Sequence, residues 1–157
     1  MSNLSSIGLN QEKSQELANK LNKLLADYQI FYMNVRGFHW NIKGDRFFEL
    51  HLKFEELYND ILLKVDEVAE RILTLGFTPI HAFSDYIELS EIKEAKNLND
   101  SNSTVKNILD SFKILLTEQR SILSFSDGLG DDGTSSTMSD YIRAQEKLVW
   151  MYSSFLK

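Results

Sequence analysis

Four side chains between residues 51 and 70 have the types and spacing of metal ligands. His51 and Glu55 stand four residues apart, as do Asp66 and Glu70. On a helix, a four-residue step places two side chains on one face, where they can grip one ion. Imidazole nitrogen and carboxylate oxygen suit a borderline or hard divalent cation. The two pairs cannot meet within one chain, however. Eleven residues separate Glu55 from Asp66, about 16 Å of helical rise, against metal–ligand bonds of about 2 Å. Two copies of the helix packed antiparallel about a two-fold axis near residues 60 and 61 would bring the His51/Glu55 pair of one against the Asp66/Glu70 pair of the other. Symmetry then gives two equivalent sites per dimer.

The element that must carry these residues reads as one helix over residues 45–76, with Asp45 as N-cap and Gly76 as C-cap and no proline or glycine between them. Leu50, Phe54, Leu57, Ile61, Val65, Val68 and Ile72 form an apolar stripe at core-facing spacing. Lys53, Glu56, Asp60, Lys64, Glu67 and Arg71 gather on the far side as a solvated face. Between the two runs a thinner apolar line, Tyr58, Leu62, Ala69 and Leu73, with the four ligand-type residues interleaved. Taken singly, each of the four is an ordinary polar residue of an amphipathic helix. Four of them beside a second apolar line are a different matter, because carboxylates buried against a partner need a cation or a hydrogen-bond donor.

Around this helix the chain reads as a bundle. It has 157 residues, one proline, seven glycines and no cysteine, enough for one core without disulfides or thiolate metal sites. Apolar residues recur at three- and four-residue spacing almost throughout, which predicts an all-α domain of four long helices over residues 1–157, with residues 1–9 a short flexible tail. The first helix begins near Asn10 and carries Leu17, Leu21, Leu24, Tyr28, Phe31, Val35 and Ile42 on one face, with Leu25, Tyr32 and His39 beside it. A lone histidine on such a flank is most often a hydrogen-bonded core residue, and Trp40 next to it reads as packing. The third helix spans about 103–125 and the fourth starts near Thr134. Their joint is the acidic, glycine-rich SDGLGDDG, which on composition alone is a surface loop. After Gly76 about two dozen residues precede the third helix. That length suits a crossover that returns the chain along the bundle, with one short helix within HAFSDYIELSEIKEAKN. His81, after Pro79, reads as a structural or surface residue rather than a metal ligand. The start MSNLSSIGLNQEK lacks the features of a signal peptide, and no apolar run approaches a membrane span, so a soluble, cytoplasmic chain is expected. The net charge of −6 opposes attachment to nucleic acid or anionic membrane and favours attraction of cations.

His39, His51, Glu55, Asp66 and Glu70, set in HW at 39–40, FFELH at 47–51, ELY at 56–58 and VDEVAERIL at 65–73, closely resemble the Dps family of mini-ferritins. The steps of 12, 4, 11 and 4 residues between the five match that family's intersubunit ferroxidase ligands, and the resemblance covers nearly the whole chain. It implies a ferritin-like four-helix bundle with a short helix in the crossover between the second and third long helices, assembled as a hollow homo-dodecamer of two-fold dimers. It also implies that His39 is an iron ligand, that Trp40 lies close enough to report on iron oxidation, and that Fe²⁺ is oxidised with hydrogen peroxide or oxygen and stored as ferric mineral. In the acidic joint, Asp127 and Asp132, with Asp131 nearby, would line pores that admit iron. Two departures stand out. Glu55 occupies a position usually held by Asp, and Ser136 one often held by a further acid. Independently of the resemblance, the chain has no Glu-x-x-His motif, the signature of di-iron sites inside a single bundle. Two other readings remain open at this point: a DNA-binding nucleoid protein, which the absence of Lys and Arg from the first twelve residues disfavours, and a metal-storage shell without efficient oxidation, which Glu55 keeps open.

Overall fold

The computed structural model describes residues 3–157. It contains α1 (Gln11–Asn41), α2 (Phe47–Thr74), α3 (Phe83–Leu89), α4 (Ser101–Leu129) and α5 (Asp132–Phe155). Four are the expected long helices. The seven-residue α3 is the expected short one, confined to the first part of the segment predicted for it. Of the tail foreseen over residues 1–9, residues 1 and 2 lie outside the described residues. The rest closes into a turn in which Gln11 N–H donates to Asn3 C=O and Ser5 N–H to Leu9 C=O.

Local chemistry sets the helix ends. The Asn10 side chain accepts from Lys13 N–H at the start of α1, and Asp100 accepts from Ser103 N–H at the start of α4, each satisfying one of the donors a helix start leaves unpaired. Gly76 has φ +97°, the left-handed turn expected of a glycine after a helix. The predicted N-cap at Asp45 is not formed: α2 begins at Phe47, with Arg46 in the cap position and no side-chain cap bond. The joint between the last two helices also differs from the expected loop. Helix α4 continues to Leu129, Gly130 turns the chain at φ +81°, and Asp131 immediately caps α5. A glycine that reaches the left-handed region without strain and an aspartate that accepts from the next turn make a two-residue connection sufficient.

The direction of each helix follows from its contacts. Lys23 meets Glu118 and Phe31 meets Phe112, so α1 and α4 run antiparallel. The short connection makes α1 and α2 antiparallel too, which leaves α2 and α4 parallel, as the long crossover predicts. The core is filled by Leu17, Leu21, Leu24, Tyr28 and Phe31 of α1, Phe54, Ile61 and Ile72 of α2, Ile108 and Phe112 of α4 and Met138 of α5. At its centre three polar groups close on themselves. Gln145 Nε2 donates to Tyr28 Oη, the Tyr28 hydroxyl donates to Gln119 Oε1, and Gln119 Nε2 donates to Gln145 Oε1.

The predicted solvated face of α2 holds at Glu56 and Glu67, which are exposed, and is corrected at Lys64. Helix α5 packs along it. Lys64 is only 7% exposed, its Nζ 2.7 Å from Asp60 and 4.9 Å from the centre of the Tyr141 ring. Glu67 accepts from the Tyr141 hydroxyl at 2.8 Å. The long aliphatic stem of lysine can lie along apolar surface while its ammonium finds a partner, so a run of charged types did not mean solvent.

Polar residues of α1 hold the crossover. Asn22 bonds Thr78 and Ile80, Asn34 bonds Lys93 and Ala95, and fully buried Asp27 accepts at Oδ1 from Ser90 Oγ, Glu91 N–H and Ile92 N–H. Its other oxygen faces Glu118 and lies 3.9 Å from Lys23 Nζ, and neither Asp27 Oδ2 nor Glu118 Oε2 accepts a hydrogen bond from a donor other than the facing carboxyl. One proton shared between the two carboxyls resolves both. Burial, and then the hydrogen bond with Asp27, push the Glu118 carboxyl up to about 8, while Lys23, 2.8 Å away, partly opposes the rise. The folded chain therefore keeps this proton up to about pH 8, whereas an unfolded chain releases it near the ordinary value of 4.5. Between those values the folded state binds more protons, so stability from this group falls as pH rises. Glu118→Gln supplies an amide N–H in place of the proton. Its denaturation midpoint is expected to fall less than that of the wild type between pH 5 and pH 8.5, and equal falls would contradict the shared proton.

Candidate metal centre

The end of α1 and the start of α2 bring two imidazoles face to face. The His39 and His51 rings stack with centroids 3.8 Å apart and planes 16° from parallel. His39 Nδ1 lies 2.6 Å from the backbone carbonyl of His51, and His51 Nδ1 lies 2.7 Å from that of His39. A carbonyl only accepts, so each Nδ1 carries the proton. In the neutral ring that leaves Nε2 with its lone pair free, the tautomer a metal ligand needs. Glu55, one turn beyond His51 on α2, places Oε1 3.7 Å from His39 Nε2. Helix periodicity delivers two of these groups and a reciprocal interhelical bond pair delivers the third.

Asp66 and Glu70 lie further along α2, exposed and with no hydrogen-bond or ion-pair partner among the described residues. They do not join the histidines. Among the described residues, no group of three or more His, Asp or Glu side chains comes together with the geometry to hold a metal ion. The second apolar line divides. Tyr58 is covered within the chain, whereas Leu62 and Leu73 are exposed, together with Leu52 and Leu63, the last at 66%. Trp40, read from the sequence as packing, is 58% exposed, with the Arg36 guanidinium over its ring at 5.4 Å. His81 is an exposed residue, its Nδ1 3.0 Å from the carbonyl of Pro79.

The acids of the joint fall into two groups. Asp132 is exposed in the first turn of α5, and exposed Asp127 accepts from Ser135 Oγ at 2.6 Å. Asp131 is 2% exposed. It caps α5 through Thr134 N–H and accepts from Arg71 Nη2 at 2.6 Å, while Arg71 Nε donates to Thr134 Oγ1. Sequence reasoning placed Arg71 in solvent and missed this tie. The signal available was an aspartate three residues before a threonine at a helix start.

A four-helix bundle whose second and third long helices run parallel through a long crossover has the ferritin-like arrangement. The ferritin-like domain family matches residues 18–157. The chain is 43% identical over 148 residues to the DNA protection during starvation protein of Porphyromonas gingivalis, covering 94% of this chain and 93% of that one. It is similar to the crystal structure of a Dps protein from Vibrio cholerae O1, described as a member of a broad superfamily of ferritin-like diiron-carboxylate proteins, with TM-score 0.98, 55% identity and coverage of 100% and 99%. Dps from Staphylococcus aureus superposes with TM-score 0.88 at 32% identity, covering 91% of this chain and 96% of that one. The chain belongs to the Dps family of ferritin-like proteins.

Removing Arg71 would leave a buried carboxylate without its cation. Because the arginine is partly exposed, Arg71→Ala is expected to cost about 2–3 kcal/mol, somewhat less than for a fully buried pair. Asp131→Ser in the same chain keeps a capping oxygen and removes the stranded charge, so the double variant should recover part of the loss in a denaturation series. No recovery would show that the carboxylate is not what Arg71 stabilises.

Proposed function

We propose that the protein is a ferroxidase mini-ferritin. It binds Fe²⁺ as substrate at sites between two subunits, oxidises it and retains the ferric product in the cavity of a homo-dodecamer. His39, His51 and Glu55 come from one subunit, and Asp66 and Glu70 from its two-fold partner. The observation that carries this reading is the reciprocal His39–His51 bond pair, which fixes both rings in the ligand tautomer beside Glu55 on an otherwise apolar face. Exposed Leu52, Leu62, Leu63 and Leu73 are the surface that a second α2 would cover, and antiparallel packing would carry the unpaired Asp66 and Glu70 of one copy to the histidines of the other.

The stacking also bears on how many ions take part. Rings 3.8 Å apart and nearly parallel cannot both point in-plane lone pairs at one ion about 2 Å from each nitrogen, so each imidazole serves its own ion. Two Fe²⁺ side by side supply the two electrons that one hydrogen peroxide needs. With two protons the products are two Fe³⁺ and two waters, and no one-electron step releases a hydroxyl radical. The protein's residues hold the ions and leave coordination positions open for the oxidant. Exposed Asp127 and Asp132 are the acids available to line an iron-entry pore. Asp131, engaged by Arg71, shapes the joint that presents them. The reaction belongs to the cytoplasm, and among the described residues no helix is long and apolar enough to cross a membrane.

The test is stopped-flow oxidation of Fe²⁺ by peroxide with the wild type and with Asp66→Ala/Glu70→Ala, alongside light scattering after size exclusion. The wild type should show a fast phase and the mass of about twelve chains, while the double variant should keep that mass and lose the fast phase. A variant as fast as the wild type would remove these carboxylates from the site. A wild type with no fast phase would favour a storage-only shell.

A further inference from the structure

The two stacked imidazoles are bounded on both sides by rings of α2. Phe47 lies nearly parallel to His51, 5.0 Å away and 19° from its plane, and Tyr58 meets His39 at 5.3 Å and 73°. Tyr58 is itself held. The Arg36 guanidinium lies 4.8 Å from the centre of its ring while donating through Nη1 to the Tyr32 hydroxyl at 2.5 Å, and Tyr32 meets Tyr58 almost at right angles at 5.9 Å. Tyr32 and Arg36 are one turn apart on α1, so helix periodicity sets the clamp, and α2 supplies the ring it closes on.

This arrangement answers a need that the reciprocal hydrogen bonds leave unmet. A single bond from Nδ1 to a carbonyl fixes one atom of the His39 ring but leaves the ring free to tilt about the bond. The direction of the Nε2 lone pair depends on that tilt. Stacking on His51 restrains one side of the ring, and the perpendicular contact with Tyr58, worth about 1 kcal/mol for an aromatic pair, restrains it further. A cation over an aromatic face adds a comparable attraction, so Arg36 fixes Tyr58 without touching the imidazole.

We propose that Tyr58, clamped by Arg36, is the positioning residue that sets the plane of the His39 imidazole, and that Arg36 acts on the metal site through it. This rests on the reading of His39 as a ligand. The contact is made by the ring and not the hydroxyl, so phenylalanine serves as well as tyrosine, whereas an aliphatic residue of similar volume does not.

Anaerobic titration of the assembled protein with Co²⁺, followed through its visible ligand-field bands, tests this. Loss of a group that orients a ligand typically weakens binding by about tenfold or more. Tyr58→Leu is expected to weaken Co²⁺ binding by about that factor and to shift the bands, with Arg36→Met changing both in the same direction. Tyr58→Phe should reproduce the wild-type spectrum and affinity. A purely structural role would lower thermal stability without moving the bands of the bound ion. His39→Ala separates the two levels of the argument. If it leaves the Co²⁺ spectrum unchanged, the ligand reading fails and takes the positioning role with it. If it abolishes the bands while Tyr58→Leu and Arg36→Met match the wild type, the positioning role alone is overturned. Should Tyr58→Leu not fold, Arg36→Met decides.

Discussion

The rigid rise of an α-helix governs how this protein could use the residues of metal-ligand type that it carries. Helix α2 carries two ligand-type pairs, and about 16 Å of rise between Glu55 and Asp66 exceeds what any side-chain rotation can close. The fold does not bend the helix to bring them together. It leaves Asp66 and Glu70 exposed and unpartnered, with Leu62, Leu63 and Leu73 beside them, so the chain's own packing stops short of a complete site. The core shows the complementary choice. Where an intrachain di-iron bundle gathers Glu and Glu-x-x-His, this one has Tyr28, Gln119 and Gln145 bonded in a neutral closed ring, with no carboxylate among them to attract a cation.

Everything on the histidine side depends on the α1–α2 hairpin. The reciprocal bonds between His39 and His51 span its closed end, beside the connection between the helices, so they fix the register of the two helices and the tautomer of both rings together. The remaining attachments of α1 serve the same end. Asn22, Asp27 and Asn34 bind the crossover along one side of that helix, which lets a long, irregular segment return the chain without loosening the helix that carries His39. At the far end of α2, Arg71 reaches Asp131 and ties the turn after Glu70 to the joint of α4 and α5.

Much of this was legible in the sequence because it depends on period and spacing. The stripe from Leu50 to Ile72, the parallel course of α2 and α4 and the short helix near Tyr86 all follow from where apolar residues recur and where glycine and proline do not. The shared helix face of His51 with Glu55, and of Asp66 with Glu70, is legible for the same reason. The tertiary partners of long polar side chains were not. Lys64, Glu67 and Arg71 have the composition of a solvated face, and only the approach of Tyr141 and Thr134 of α5 and of its cap Asp131 buries Lys64 and gives Glu67 and Arg71 their partners. Asp45 has the type of an N-cap but lies one residue before the cap position, which Arg46 holds, and Asp131 has the type of a pore residue but the position of a cap. The stacking of His39 on His51 depends on hairpin geometry, which spacing within each helix does not encode.

The most direct test of a site shared between subunits is complementation. Shells assembled from an equal mixture of His39→Ala/His51→Ala and Asp66→Ala/Glu70→Ala chains contain, at random, hybrid two-fold dimers in which one site has all its mutations and the other has none. About a quarter of all sites are then intact by symmetry. The account predicts that each parent alone lacks fast Fe²⁺ oxidation and that the mixed shell regains roughly a quarter of the wild-type amplitude. A mixed shell as inactive as its parents, once hybrid assembly is verified by mass, would contradict a site built from two chains.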